Sequence, residues 1–227
     1  MKLLVSIITC TIREENMDNV FNNYQQQSYK DKELIIILNK DSMDIDRWIE
    51  KAKKYRNVQV YQLHQKATLG DCLNFGIMKA KDDIIAKFDD DDYYGPDYIK
   101  SSIEAFKNKH ISIIGKSSVF IYFKNIKALI HVSGNENSIT DSVAGATLMF
   151  RKNVFQQVQF EKVNRGEDYH FLEQCKEKGL TIYSTDRFHF AVIRQDADKH
   201  TWKISEEELM AWGELIAISE DFQSLVS

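Results

Sequence analysis

The chain has 227 residues, 43% of them hydrophobic, 28% charged and 11% aromatic, which is the composition of an ordinary folded protein with room for one full core. With 30 lysines and arginines against 34 aspartates and glutamates, the net charge of −4 favours neither nucleic acid nor an anionic membrane as a non-specific partner. No run approaches the roughly 20 apolar residues of a membrane span, no signal-peptide cleavage site follows the start, and the scattered Cys10, Cys72 and Cys175 suit a reducing compartment, so a cytoplasmic protein is expected.

Leu3 to Thr9 is apolar and β-branched and reads as a buried strand. Glu14 to Gln27 follows, with Met17, Val20, Phe21 and Tyr24 spaced three and four apart as on one helical face. The same alternation continues with a strand at Leu34 to Leu38, a helix at Ile45 to Tyr55, a strand at Val58 to Leu63, a helix at Leu69 to Ala80 and a strand at Ile84 to Phe88. Strands alternating with helices through short joints predict an α/β fold with a mostly parallel sheet covered on both faces. Right-handed crossovers then bring the C-terminal ends of the strands to one edge, where such folds bind ligands.

Beyond Pro96, the only proline, the pattern is less regular. A helix is expected at Asp97 to Lys107, one or two strands within Ile111 to Phe123, and further strands at Thr147 to Phe150, Thr181 to Ser184 and Phe188 to Ile193. Helices are expected at Glu167 to Lys178 and Ser205 to Ile218, the last carrying Leu209, Met210, Trp212, Leu215 and Ile216 as an apolar stripe that packs on the core or forms a homodimer face. No linker divides the chain, so 1–227 is expected to be one domain: a nucleotide-binding half (1–96), a mixed second half built onto its sheet (97–204) and a C-terminal helix (205–227).

The sharpest feature is Phe88-Asp89-Asp90-Asp91-Asp92-Tyr93-Tyr94-Gly95-Pro96. Four adjacent carboxylates after a buried strand repel one another by about 4 kcal/mol per pair at ~4 Å and an effective dielectric near 20. A hard divalent cation, Mg2+ or Mn2+, offsets that repulsion and would neutralise a diphosphate. The competing reading is a solvated acidic turn capping the next helix.

These residues resemble family 2 glycosyltransferases of the GT-A fold over about residues 3–204. Val5 to Thr11 resembles the family's opening strand, Gln27 to Ile36 its approach to the second strand, and Leu69 to Ile77 with Ala80 its helix before the metal site. Asp89-Asp90-Asp91-Asp92 followed by Pro96 is similar to the family's D-x-D-D-x-x-x-P form of the DxD motif. The resemblance implies a GT-A type, Rossmann-like, mostly parallel sheet flanked by helices, with a mixed acceptor half. It implies that Asp91 holds the metal and that Asp89 or Asp90 faces the ribose or shares it; four identical residues leave that division open. Thr9, Thr11, Asn39, Asp41, Asn74, Asp89, Asp90 and Arg194 become the donor-side residues. One departure stands out: where the family often carries Asp-Asp-x-Ser, this chain has Asn39-Lys40-Asp41-Ser42.

Gly166-Glu167-Asp168-Tyr169 opens a helix, and acidic residues in a first turn also simply suit the helix dipole. By the resemblance Asp168 is the general base that takes the acceptor's proton, with Glu167 the alternative. Gly145 to Arg151 resembles the strand lining the acceptor side. Arg194 would offer a planar contact to phosphate, and His200, within His200-Thr201-Trp202, would be a third metal ligand. Gln195 to Lys199 is a polar stretch suited to a lid. The activity implied is transfer of a sugar, with inversion, from a nucleoside diphosphate (UDP the first guess) to a glycan, lipid-carrier or protein hydroxyl, in a protein soluble or peripheral to the membrane. The rival readings are a catalytically silent sugar-nucleotide-binding or scaffold module and a nucleotidyltransferase. The second lacks the early glycine-rich loop, and neither a G-x-G-x-x-G nor a G-x-x-x-x-G-K-[ST] motif is present.

Overall fold

The computed structural model describes residues 3–81, 83–195 and 204–227. The first half follows the expected alternation: β1 (Val5–Thr11), α1 (Met17–Gln26), β2 (Lys32–Leu38), α2 (Ile45–Ala52), β3 (Val58–Gln62), α3 (Leu69–Lys79) and β4 (Ile84–Lys87). β1 lies parallel to both β2 and β4, and β2 parallel to β3. Alternate residues of each strand face opposite sides of the sheet. Ile7, Ile36 and Ala86 pack with α1 and α2 side chains such as Phe21 and Trp48, whereas Ile8, Ile35 and Ile85 pack with Leu73 and Ile77 of α3. Both faces are covered, so these strands read as unbroken apolar runs.

The second half adds β5 (Tyr93–Tyr94), α4 (Tyr98–Ser102), β6 (Ile111–Gly115), β7 (Val119–Phe123), β8 (Ala128–Val132), β9 (Ser138–Ile139), β10 (Met149–Arg151), α5 (Glu167–Glu177), β11 (Thr181–Ser184), β12 (Phe190–Arg194), α6 (Glu206–Met210) and β13 (Glu214–Ile218). Part of it extends the first sheet, whose order is β3-β2-β1-β4-β10-β6-β11-β9. The rest forms a second sheet, β13-β8-β7-β12-β5. The strand order reverses between β1 and β4, the position where parallel sheets open a crevice at the carboxyl ends of their strands.

Two expectations need correction. The helix expected over Asp97 to Lys107 is α-helical only at α4 and continues as a 3-10 turn to Lys107. The C-terminal helix is a single short helix followed by a strand. Ser205 caps α6 by accepting a hydrogen bond from the Glu208 amide at 3.1 Å. The chain then turns at Gly213, where an added Cβ would lie 2.6 Å from the His131 carbonyl oxygen. Only a glycine lets the backbone come that close to β8. Glu214 to Ile218 then pairs antiparallel with His131 to Ala128. Leu209, Trp212, Leu215 and Ile216 have helical spacing, but an open strand edge outcompetes a helix interrupted by glycine.

Candidate active site

The aspartate loop is held from below by one face of α1. Asn19, Asn23 and Gln27 recur every four residues and so stand in one row along the helix and just past it. Asn19 Nδ2 donates to the carbonyls of Asp90 (2.9 Å) and Asp92 (3.0 Å). Asn23 Nδ2 donates to the Asp92 carbonyl (2.8 Å), while its Oδ1 accepts the Tyr94 amide (3.2 Å). Gln27 Nε2 donates to the Tyr94 and Gly95 carbonyls at 3.0 and 2.9 Å, and its Oε1 accepts the Ile99 amide at 3.1 Å. The side chain of Tyr94, stacked 3.8 Å from the Phe88 ring, accepts the Asp89 amide and donates to the Ala146 carbonyl. Backbone groups of a loop that follows a buried strand need such partners, and here side-chain amides supply them.

On this support the four carboxylates diverge. Asp92 is buried and its Oδ1 accepts the Ile193 amide of β12 at 3.0 Å, which ties the second sheet to the loop. Asp90, with a side chain only 3% exposed, accepts the Thr11 hydroxyl and the Arg13 guanidinium, whose Nε lies 3.1 Å away. Burial raises the pKa of both carboxyls above the usual carboxylate range, opposed at Asp90 by Arg13. Asp89 and Asp91 keep side-chain exposures of 36% and 23% and face the cavity. Lys87 Nζ lies 2.5 Å from Asp89 Oδ1, and Arg13 Nη1 lies 2.9 Å from Asp91 Oδ2.

Two accessible carboxylates with hard oxygen donors fit Mn2+ or Mg2+, which binds through one or two protein carboxylates when phosphates supply further ligands. Among the described residues no cluster of three or more His, Cys, Asp and Glu forms a complete metal cage, so such an ion would draw its remaining ligands from elsewhere.

The opposite wall is the start of α5. Gly166 stands before it with φ = 77°, a left-handed conformation that glycine adopts without strain. Glu167 points inward and is buried; burial raises its carboxyl, opposed by Lys87. Asp168 is half-buried and lines the cavity. Gly145 lies against it: an added Cβ would be 1.6 Å from Asp168 Oδ2, so the glycine makes room for the carboxylate. Lys87 is almost wholly enclosed; burial disfavours its charge, but Asp89, Glu167 and Asp168 together hold its ammonium above the ordinary lysine range. One buried cation thus lies between the loop after β4 and the first turn of α5.

These walls enclose a cavity of about 940 Å³, lined by Thr11, Arg13, Asn39, Lys40, Gln65, Asp89, Asp90, Asp91, Gly145, Glu167, Asp168 and Arg194 among others. Its volume is at the upper end of small-molecule sites. Residues 6–202 match the family described as glycosyl transferase family 2. The chain belongs to that family. The chain has the GT-A fold, with likeness to solved structures at low identity. TarS from S. aureus (residues 1–349, in complex with UDP-GlcNAc) aligns with TM-score 0.68 and 16% identity over 86% of this chain and 59% of that one. The mannosyltransferase PcManGT from Pyrobaculum calidifontis, in complex with GDP-Man and Mn2+, aligns with TM-score 0.66 and 14% identity over 86% and 57%. The chain therefore spans somewhat under 60% of the length of these two structures. No curated protein matched the sequence.

Of the residues assigned to the transferase site from sequence, the structure brings together Thr11, Asn39, Asp89, Asp90, Asp91, Glu167, Asp168 and Arg194 around one cavity. Arg194 is nearly fully buried there, with Nη2 donating to the Ile204 carbonyl at 3.0 Å. Three assigned residues do not line the cavity. Thr9 is buried within β1. Asp41 supports the 64–65 turn instead, its Oδ1 accepting the Gln65 amide at 2.9 Å and its Oδ2 lying 3.4 Å from His64 Nε2. Asn74 is spent on Phe160, donating to its carbonyl at 2.8 Å and accepting its amide at 3.0 Å. His200 and the 196–199 part of the expected lid lie outside the described residues. Sequence reasoning missed Arg13 and Lys87. Lys87 left a signal, since a charge in the otherwise apolar run Ile84 to Phe88 needs a buried partner. Arg13 left none beyond its place two residues after Thr11.

Proposed function

We propose that this glycosyltransferase is metal-dependent and inverting, and moves a sugar from a nucleoside diphosphate, UDP-linked as the first choice, to an acceptor hydroxyl in polysaccharide or cell-surface glycan synthesis. The observation that carries the reading is the meeting of the Asp89–Asp91 carboxylates and Asp168 on facing walls of one cavity. Asp91 and Asp89 would hold Mn2+ or Mg2+, with His200 a candidate third ligand; the bound ion would neutralise charge on the diphosphate leaving group. Asn39 and Gln65 line the cavity near Thr11 and suit hydrogen bonding to a base or ribose. Arg194 adds fixed positive charge beside Asp91 and Asp92 for the phosphates.

Asp168 is the better base because it is the more accessible of the two carboxylates at the head of α5. It takes the acceptor's proton, the acceptor oxygen bonds to the anomeric carbon, and the carbon–oxygen bond to the diphosphate breaks with its electron pair leaving on phosphate oxygen. Attack opposite to the leaving group gives inversion. Glu167, buried beside Lys87, keeps the wall in place. The acceptor stays a choice among glycan, lipid carrier and protein. No helix among the described residues is long and apolar enough to cross a membrane. For self-association the surface to consider is the β13 edge, where Leu215, Ile216 and Ile218 are exposed, rather than a helix.

Calorimetric titration of UDP, GDP, TDP and CDP, with and without Mn2+, tests the donor assignment. One nucleotide is expected to bind tightly only with Mn2+, and Asp91→Ala to weaken it by at least about tenfold, or ~1.4 kcal/mol. Absence of binding by all four with Mn2+ present would instead favour the silent scaffold.

A further inference from the structure

Arg13 belongs to the segment joining β1 to α1, and its guanidinium does two separable things. Nε and Nη2 are engaged by Asp90, a carboxylate that is buried and also accepts the Thr11 hydroxyl. That half is an anchor, since Asp90 has no room to follow a ligand. Nη1 reaches Asp91 Oδ2 at 2.9 Å, on the carboxylate that faces the cavity. An arginine is permanently charged, so the contact places a fixed positive charge on Asp91.

A guanidinium fixed on Asp91 neutralises the carboxylate and repels a second cation brought to the same oxygens. Because the interaction is partly shielded from water, that repulsion is not fully screened. A diphosphate reverses the balance, since its oxygens attract both the ion and the guanidinium fork. We propose that Arg13 is a positioning residue that competes with the divalent cation for Asp91, so that metal binds together with the donor's diphosphate and not ahead of it. The contact between Nη1 and Asp91 is the one that yields, while the Asp90 anchor keeps the guanidinium at the cavity wall, in reach of phosphate. This rests on reading the cavity as the donor site, and it makes metal affinity conditional on the nucleotide.

The test is a Mn2+ titration followed by electron paramagnetic resonance of the free ion, with and without saturating UDP or GDP, on wild type, Arg13→Gln and Arg13→Lys. Wild type is expected to bind Mn2+ alone weakly and to gain at least about tenfold with nucleotide. Arg13→Gln is expected to bind Mn2+ alone about tenfold more tightly than wild type, with a smaller gain on adding nucleotide. Arg13→Lys, which keeps a cation for the buried Asp90 but lacks the planar fork, is expected to fall between them and serves if the glutamine variant does not fold. Equal affinity for Mn2+ alone in wild type and variants, with the ion still bound, overturns the competition while leaving the donor site standing. Absence of Mn2+ binding in every form, nucleotide present or not, overturns both.

Discussion

Lys116 shows at the level of one residue how the fold spends charge outside the cavity. It is 1% exposed, donates to the Asp186 carbonyl at 2.6 Å and to the Thr185 hydroxyl at 3.3 Å, and lies 5.5 Å from the centre of the Tyr98 ring. Burial pulls its ammonium down to about 8 from 10.5, against the attraction of Asp186. A lysine with a lowered folded value binds fewer protons folded than unfolded between pH 8 and 10.5, so folding strengthens as pH rises through that window. Relative to Lys116→Met, which lacks the group, wild type is expected to gain about 3 kcal/mol of stability between pH 7.5 and 10.5. Urea unfolding of both proteins at the two pH values checks this; a difference independent of pH contradicts it. Sequence could not single out Lys116, because nothing along the chain marks the Gly115 to Ser118 joint as buried. The aspartates were legible because four carboxylates in a row demand either water or a cation. Their separate roles were not, since those depend on which of them α1 and β12 pull inward.

Among the elements, α1 carries more of the site than its apolar face suggests. Its inward stripe of Met17, Val20, Phe21 and Tyr24 was readable from spacing. The second stripe, Asn19, Asn23 and Gln27, has the same four-residue period but was unreadable as a contact, because side-chain amides are ordinary on a solvated face. Asn23→Leu takes away the side-chain acceptor of the Tyr94 amide, whereas the Asp92 carbonyl keeps its hydrogen bond from Asn19. Each buried group left unpaired costs about 1–3 kcal/mol. The variant is therefore expected to lose about 1–3 kcal/mol of stability and to weaken Mn2+-dependent nucleotide binding, read by denaturant unfolding and calorimetry. Unchanged binding in a folded Asn23→Leu protein would show that the loop holds its shape without Asn23. The C-terminal element teaches the reverse lesson, since the apolar residues of β13 have helical spacing and only the open edge of β8, distant in sequence, decides the outcome.

Across the whole molecule, legibility follows strand chemistry. β1, β2 and β4 are parallel, buried on both faces and continuous in apolar residues, so the elements of the first half were readable in kind and order, with ends shifted by up to about three residues. Of the second sheet only β7 and β12 were readable, because β5 has just two residues and β13 finds its partner β8 far along the chain. Yet that sheet completes the site: β12 delivers Arg194 to the cavity and fixes Asp92 through the Ile193 amide. The central claim is that the assembled cavity transfers sugar with Asp168 as base. Its most direct test is transfer of radiolabelled sugar from UDP- and GDP-linked donors to a panel of glycan and lipid-linked acceptors, by wild type and Asp168→Asn, with nucleotide binding measured in parallel. The account predicts that Asp168→Asn binds donor as wild type does but transfers about 10²–10⁴-fold more slowly, the usual contribution of a positioned general base. Equal transfer by the two proteins, or donor binding by wild type with no transfer to any acceptor, would contradict it.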